Sequence, residues 1–395
     1  MRIAIFSDNF YPELSGISDS IILTATELAN RGHFINFYVP RYSSKDYQIL
    51  NLPPQEIDLG GKVKITRFSS LPYPSGTSQG RATIPTCLRW LKVRHFNPDI
   101  IHVHLPFGIG IEGVVAAKIL NKPLVGTNHT PISEFVRYSP IQGRWIKNLI
   151  NRYNTWFYNR CDFISSPCEA IFGDMPALNI NIPHRAIPNP INLKTFQPLP
   201  NKKSLKKKFG FPDFSLLYVG RLAPEKNIDL IVKALPLIHK EFPKTTFGIV
   251  GRGSAENKLR RKVISCHLED KVKFLGFIKD INKLAEVYNA SEVFVMMSTA
   301  ETQSIAAMQA MSCGLPVVGV RAWGLKEYIN PKNGILINPM RIDELAQSII
   351  YLFKNPNLRK KLGQGGQNFT KRFYPPKIAE VWEQIYEKVI KDYNK

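Results

Sequence analysis

STAETQSIAAMQAMSCGLPVVG (298–319) is the stretch on which the fold turns. The run that leads into it, EVFVMMS (292–298), has the length and apolar content of a buried strand. A polar loop holding Glu301 follows. A helix is expected to begin near Ser304, with Gln309 five residues further on. Gly314 and Pro316 end it, and LPVVGV (315–320) is the next strand. Strand, polar loop, helix and strand in this order make one βαβ unit with parallel strands and a right-handed crossover. The first N–H groups of such a helix lack intrahelical partners and attract anions. A carboxylate beside them suits a ligand that carries hydroxyls and phosphates together.

The same rhythm extends in both directions. SLLYVG (215–220), TTFGIVG (245–251) and KVKFLGF (271–277) read as strands, and IDLIVKALPLIHKEF (228–242) as a helix. Upstream, MRIAIFSD gives a strand ending near Ser7, followed by a helix near 17–31 and a strand near 34–39. DIIHVH (99–104), PLVGTNH (123–129) and DFISSP (162–167) are further strands. Between the two series lies a Pro- and Lys-rich stretch (187–213) with the composition of a loop. Two successive doubly wound α/β domains are expected, over 1–190 and 214–374, joined by a linker at 191–213 and followed by a helix over 375–395. In such sheets ligands bind beyond the carboxyl ends of the strands. Chemistry is therefore sought at Asp8 to Gly16, His104, His129, Gly220 to Lys226, Gly251 to Gly253 and Ser298 to Ser304.

With 395 residues, 44% hydrophobic and 21% charged, the chain is ordinary globular protein. Disordered, collagenous and low-complexity classes are excluded. The five cysteines are scattered and are expected to be reduced thiols of a cytosolic protein. The start of the chain lacks the apolar core of a signal peptide, and no run approaches a membrane span. A net charge of +22 points to a polyanionic partner. The excess is uneven: residues 1–190 carry 19 basic and 13 acidic side chains, and the rest carry 34 and 18.

Two glycine-bearing loops fit phosphate. Gly220 opens GRLAPEK, where Arg221 and Lys226 supply one rigid and one flexible cation; a solvated loop with Glu225 paired to a neighbour is the plainer reading. Gly251-Arg252-Gly253 follows a strand and opens a helix, so its amides can face a phosphate or nucleoside.

These features together resemble the retaining family 4 glycosyltransferases of GT-B fold. Ser298, Glu301, Ala310, Met311, Gly314, Pro316, Val317 and Val318 match that family's S-x-x-E-x-x-G-x-x-x-x-E-A-M-A-x-G-x-P-V-V pattern. Val219 to Leu222 with Glu225-Lys226, Ser166-Pro167, NGILI (333–337), Arg31-Gly32-His33 and PDIIHVH (98–104) fit further motifs of the family, and Pro188-Asn189-Pro190 stands where the family has P-N-G. The resemblance runs from residue 1 to about 385 and implies two Rossmann-like domains facing a central cleft. It implies that Arg221 and Lys226 hold the donor diphosphate. Glu301 would contact sugar hydroxyls, with the amides of Gln303, Ser304 and Ile305 nearby. Ile278 would meet the base, His104 the sugar, and Gly16 the floor beneath the phosphates. Gly220, Gly251 and Gly253 join the donor set. Gln309 stands where the family has its second glutamate, which contacts the ribose, and Ser304 stands where it has a glycine. Ser15 and His129 are acceptor-side candidates.

His102 and His104 are assigned to opposite faces of their strand, His104 toward the site and His102 to the core. No metal is expected, because no third ligand accompanies His102 and His104 at a suitable spacing and no Asp-x-Asp occurs. Gly108 to Gly113 spells G-x-G-x-x-G after a strand, but not the first strand of its domain, so a dinucleotide reading is set aside. Residues 135–161 hold five basic and no acidic side chains. Trp145, Ile146, Leu149, Ile150, Tyr153, Trp156 and Phe157 are expected on one helical face, with Arg144, Lys147 and Arg152 flanking. That combination fits a helix lying on an anionic membrane; packing against the domain core is the alternative. Lys202, Lys203, Lys206, Lys207 and Lys208 would add attraction or merely be solvated. No nucleic-acid motif is present.

The expectation is a retaining, metal-independent hexosyltransferase using a UDP- or GDP-linked sugar, without a cofactor. Its acceptor would be a membrane lipid such as diacylglycerol or a lipid-linked glycan. The enzyme would be cytoplasmic and peripheral on the inner face of the membrane. A soluble acceptor, a catalytically weakened sugar-nucleotide binder and a nucleotide-sugar epimerase are the alternatives.

Overall fold

The computed structural model describes residues 1–13, 15–49, 52–73, 79–130 and 144–395. The chain divides into two compact units, Met1–Pro190 with Pro375–Lys395, and Ile191–Tyr374.

The strands of the first unit are β1 (Arg2–Ser7), β2 (Phe34–Pro40), β3 (Val63–Phe68), a small pair β4 (Leu71–Pro72) and β5 (Arg81–Ala82), then β6 (Ile100–His104), β7 (Leu124–Thr127), β8 (Phe163–Ser166) and β9 (His184–Ala186). Seven of them form a parallel sheet in the order β3-β2-β1-β6-β7-β8-β9. Both faces of β1 are buried, as a parallel sheet requires. Ile3 and Ile5 meet the helix Gly16–Asn30 and the last helix, Pro375–Tyr393, through Ile21, Leu28, Ile378, Trp382 and Tyr386. Phe6 and Val103 face the helix Gly108–Leu120 instead, so closely that a Cβ on Gly113 would lie 2.4 Å from the Val103 side chain. Glu383 pins the last helix to the end of the first, bonding Arg31 and, at 2.8 Å, His33.

The second unit holds β10 (Ser215–Val219), β11 (Thr246–Val250), β12 (Val272–Gly276), β13 (Val293–Met296), β14 (Val317–Val320) and β15 (Gly334–Ile337). They form a parallel sheet in the order β12-β11-β10-β13-β14-β15. In each unit the strand order reverses beside the first strand, between β1 and β6 and between β10 and β13. That reversal opens the crevice where doubly wound sheets bind ligands.

The stretch 191–213 is not a loose linker. It belongs to the second unit and carries a helix, Lys202–Phe209. Asn289 bridges Gln197 O and Leu199 N–H at 3.0 and 2.8 Å, and Ser312 Oγ donates to Phe196 O. Lys202 and Lys206 reach Glu292 at 3.0 and 2.6 Å, and Lys208 reaches Glu286 at 2.6 Å. Part of the lysine run is therefore neutralised by partners.

Candidate functional site

In the second unit the loops after β10 and β11 are joined backbone to backbone. Gly220 N–H donates to Val250 O at 3.0 Å, and Leu222 N–H to Arg252 O at 2.9 Å. Gly251 and Gly253 take φ values of 136° and 158°. A Cβ on them would stand 1.9 Å from the Gly220 carbonyl oxygen and 2.3 Å from that of Leu222. Only glycine allows this approach.

Arg221 ion-pairs with buried Glu225 at 2.8 Å, so the pairing anticipated for Glu225 is real. The Tyr218 hydroxyl holds the Arg221 carbonyl oxygen at 2.9 Å. Lys226 Nζ meets Glu301 Oε1 at 2.5 Å, bringing the loop after β10 to the loop after β13. Asn227 reinforces that link with a 3.1 Å bond to Met297 O. Burial alone would raise the Glu301 carboxyl. The Lys226 charge, hydrogen bonds from Lys226 and Ser298, and the Arg221 charge outweigh it and hold Glu301 below its ordinary value. Glu301 is therefore an anion within a basic cluster, suited to accept from sugar hydroxyls.

The helix expected near Ser304 runs Ile305–Ser312, with Ser304 as its N-cap. Ser304 has φ of 58°, and its Oγ accepts from Ala307 N–H at 3.4 Å. That left-handed conformation explains why glycine suits the position, and it costs a residue with a Cβ about 1–2 kcal/mol. Gln303 is buried just ahead, and Ile278 is buried two residues after β12. The Gln309 Oε1 accepts from the hydroxyl of Tyr288 at 3.1 Å. Tyr288 was not anticipated, since it lies on a different helix, Ile281–Ala290.

In the first unit Ser15 caps the helix Gly16–Asn30, its side chain accepting from Ile17 N–H at 3.2 Å. His104 ends β6 and His129 lies beyond β7; His104 Nδ1 and His129 Nε2 are 2.9 Å apart. The two candidates thus form a pair. The assignment of His102 and His104 to opposite faces is corrected: side chains alternate residue by residue, so i and i+2 share a face. Their ring centroids are 4.0 Å apart. All three imidazoles are buried. Burial and the neighbouring rings lower His102 to about 3 and His104 well below its ordinary value, and burial lowers His129 to about 3.

The G-x-G-x-x-G segment does open a helix, at Gly108. Its first N–H groups, from Ile109 and Gly110, bond the Asp8 carboxylate at 2.9 and 3.2 Å. An internal carboxylate thus occupies the place a pyrophosphate would take. Burial raises Asp8 to about 7 despite those bonds.

The basic-aromatic segment forms a helix, Arg144–Tyr158. Residues 135–143 and the side chains of Arg144 and Lys147 lie outside the described residues. Its apolar residues do not share one fate. Ile146 and Phe157 are buried, whereas Trp145 is 63%, Leu149 59% and Trp156 41% exposed. At about 100° per residue, Trp145, Leu149 and Trp156 fall within an arc of roughly 40°, adjacent to the buried arc. Arg152 is exposed beside it, and the Arg160 guanidinium lies 4.1 Å over the Trp156 ring. Packing and an outward apolar face coexist on one helix. Among the described residues no helix is long and apolar enough to cross a membrane. Among them, too, no group of three or more His, Cys, Asp or Glu side chains is arranged to hold a metal ion.

Two parallel, doubly wound units of this kind define the GT-B class. Sucrose-phosphate synthase of Thermosynechococcus elongatus superposes with a TM-score of 0.79 at 21% identity, covering 99% of each chain. Anabaena HepE, solved in complex with UDP and glucose, does so at 0.79 and 20%, covering 98% of this chain and 100% of that one. Residues 14–195 match the glycosyltransferase family 4 model and residues 201–369 the glycosyl transferases group 1 model. The chain belongs to the group 1 glycosyltransferases of family 4. It is 27% identical to the alpha-monoglucosyldiacylglycerol synthase of Acholeplasma laidlawii, over 100% of this chain and 99% of that protein. It is 28% identical to the Streptococcus pneumoniae enzyme of the same name, over 80% and 70%.

Proposed function

We propose that this chain is a retaining, metal-independent hexosyltransferase that moves a sugar from a UDP- or GDP-linked donor to a membrane lipid such as diacylglycerol. The observation that carries the donor reading is the Lys226–Glu301 contact beside the Arg221–Glu225 pair at the strand ends of the second unit. As the anomeric C–O bond breaks, negative charge grows on the departing diphosphate. Arg221, Lys226 and the N–H groups at the start of the helix Ile305–Ser312 stabilise it. The sugar passes through an oxocarbenium-like state, and on the face that the diphosphate leaves the acceptor hydroxyl oxygen forms the new bond to the anomeric carbon as its proton passes to the departing diphosphate oxygen. Glu301 orients sugar hydroxyls, and His104 is the sugar-contacting group of the first unit. The lipid reading is supported by the outward face of Trp145, Leu149 and Trp156 and by relatives named for glucosylating diacylglycerol. Cytoplasmic, peripheral attachment to an anionic membrane follows from that reading.

The test is transfer from labelled UDP-, GDP- and ADP-sugars, with and without vesicles containing diacylglycerol and anionic lipid. Label entering the lipid phase from one donor supports the proposal; transfer only to a soluble acceptor overturns the lipid part. Replacing Trp145, Leu149 and Trp156 together by Ser is expected to cut the vesicle-bound fraction at least about tenfold, measured by co-sedimentation.

Gln309 and the strained Ser304 favour a second reading, a weakened sugar-nucleotide-binding protein. Gln309→Glu separates the two, since a carboxylate can still accept from Tyr288. Under the first reading kcat stays within about threefold; a rise of about a hundredfold from near zero would favour the second.

A further inference from the structure

His102 does more than fill the core. It sits within β6 between β1 and β7, aligned with Ile5 and Val125, and its ring is buried. Its Nδ1 lies 2.7 Å from the hydroxyl of Tyr386 on the last helix, and its Nε2 lies 2.6 Å from Thr127 Oγ1. Thr127 Oγ1 is in turn 2.6 Å from Ser165 Oγ. The ring is held between Trp382, with centroids 4.7 Å apart, and His104, at 4.0 Å. His104 then meets His129. One continuous set of contacts therefore leads from the last helix to the ends of β6 and β7.

A neutral imidazole donates from one nitrogen and accepts at the other. With a hydroxyl on each side, the tautomer of His102 follows the direction of the hydroxyl chain. Its plane follows from both hydrogen bonds and from Trp382. His104 rests on that plane, so a tilt of His102 passes to His104 and, through the 2.9 Å contact, to His129.

We infer that Tyr386, His102 and Thr127 are positioning residues that hold the plane and tautomer of the His104–His129 pair, which makes the last helix part of the transfer apparatus of the first unit. The inference deepens the proposed function, since it rests on His104 contacting the sugar. Mutual satisfaction of buried polar groups is the competing account. It predicts lost stability without a specific effect on the histidine pair.

Tyr386→Phe removes one oxygen and keeps the ring that stacks on Trp382 at 5.4 Å. It is expected to lower kcat about tenfold with donor KM within about twofold. Thr127→Val should do the same, and Thr127→Ser should restore the rate. Ile385→Val and Val389→Ala, on the same helix and in the same core, should lower the melting temperature without lowering kcat. The imidazole ¹⁵N shifts of His104 and His129 should move in Tyr386→Phe and Thr127→Val and stay in place in Thr127→Ser and Ile385→Val. Unmoved shifts in Tyr386→Phe would overturn the inference. So would a kcat loss that tracks melting temperature equally across Tyr386→Phe and Val389→Ala. If the native chain transfers no sugar, the proposed function fails, while the ¹⁵N comparison still decides whether Tyr386 holds the pair.

Discussion

Lys226→Met is expected to lower kcat by about 10²–10³-fold, the usual consequence of deleting one group that stabilises a developing anion in an enclosed site. Two losses combine in this variant. The diphosphate loses a cation as charge grows on it. Glu301 loses the partner that keeps it ionised, because the Lys226 charge and hydrogen bond are the largest of the influences opposing burial of that carboxyl. Both side chains are mostly covered, at 16% and 14% exposure, so solvent does little to replace the missing contact. Single-turnover kinetics of Lys226→Met, Glu301→Gln and the double variant separate the two. If Lys226 acts on the diphosphate, the double variant is slower than Glu301→Gln alone by a further factor of at least about ten. Equal rates for Glu301→Gln and the double variant would mean that Lys226 serves only to hold Glu301, and would withdraw it from the diphosphate site.

How much of this was legible beforehand depends on the range of each contact. The central strands were readable because a parallel sheet covered on both faces demands short, continuous apolar runs. β3 leaves no such run because its residues are mostly half-buried, so VKITRF mixes charge with apolar side chains. β15 is four residues long, and its sequence reads only as part of the NGILI motif. Composition misled at 191–213, where prolines and lysines suggested a loop. Nothing local reveals that Lys202 and Lys206 meet Glu292, or that Asn289 holds Gln197 and Leu199.

The site shows the same division. Arg221, Lys226 and Glu301 could be named because each follows a strand in a doubly wound sheet. That Lys226 touches Glu301, 75 residues away, required the fold. Tyr288 behind Gln309 and Tyr386 behind His102, the latter separated by 284 residues, left no signal in the sequence. The facing of His102 and His104 was recoverable from strand periodicity alone, and the correct period of two places both rings on one side.

Acidification should destabilise the first unit, because His102, His104 and His129 are buried neutral together. Their folded values lie far below the 6.5 of a free imidazole, with His102 and His129 at about 3. A depressed folded value contributes stability that is fully present above the unfolded value and is lost as pH falls through the folded one. The window is therefore pH 6.5 down to about 3. Asp8 acts in the opposite sense. Its folded value is raised to about 7 from 3.8, so its contribution is complete at low pH and is lost as pH rises toward 7. Near pH 5 the unfolded chain binds three histidine protons that the folded unit lacks, and the folded unit binds two carboxyl protons that the unfolded chain lacks, on Asp8 and on Asp19, which burial raises to about 6. The difference of about one proton corresponds to roughly 1.4 kcal/mol per pH unit. Against a typical total of about 5–15 kcal/mol, that slope removes a large share of the stability between about pH 7 and 3. Urea unfolding at pH 7, 6 and 5 measures it, followed by tryptophan fluorescence, since Trp90, Trp145, Trp156 and Trp382 all belong to the first unit and only Trp323 to the second. The expected curve is level above about pH 7.5 and falls on the acid side. Asp8→Asn should steepen the acid limb, because the folded unit then lacks one of the two carboxyl protons that offset the histidines. Stability that stays level from pH 7 to 5 would mean that at least some of the three histidines accept protons in the folded unit, and would remove the reason to treat His104 as neutral during transfer.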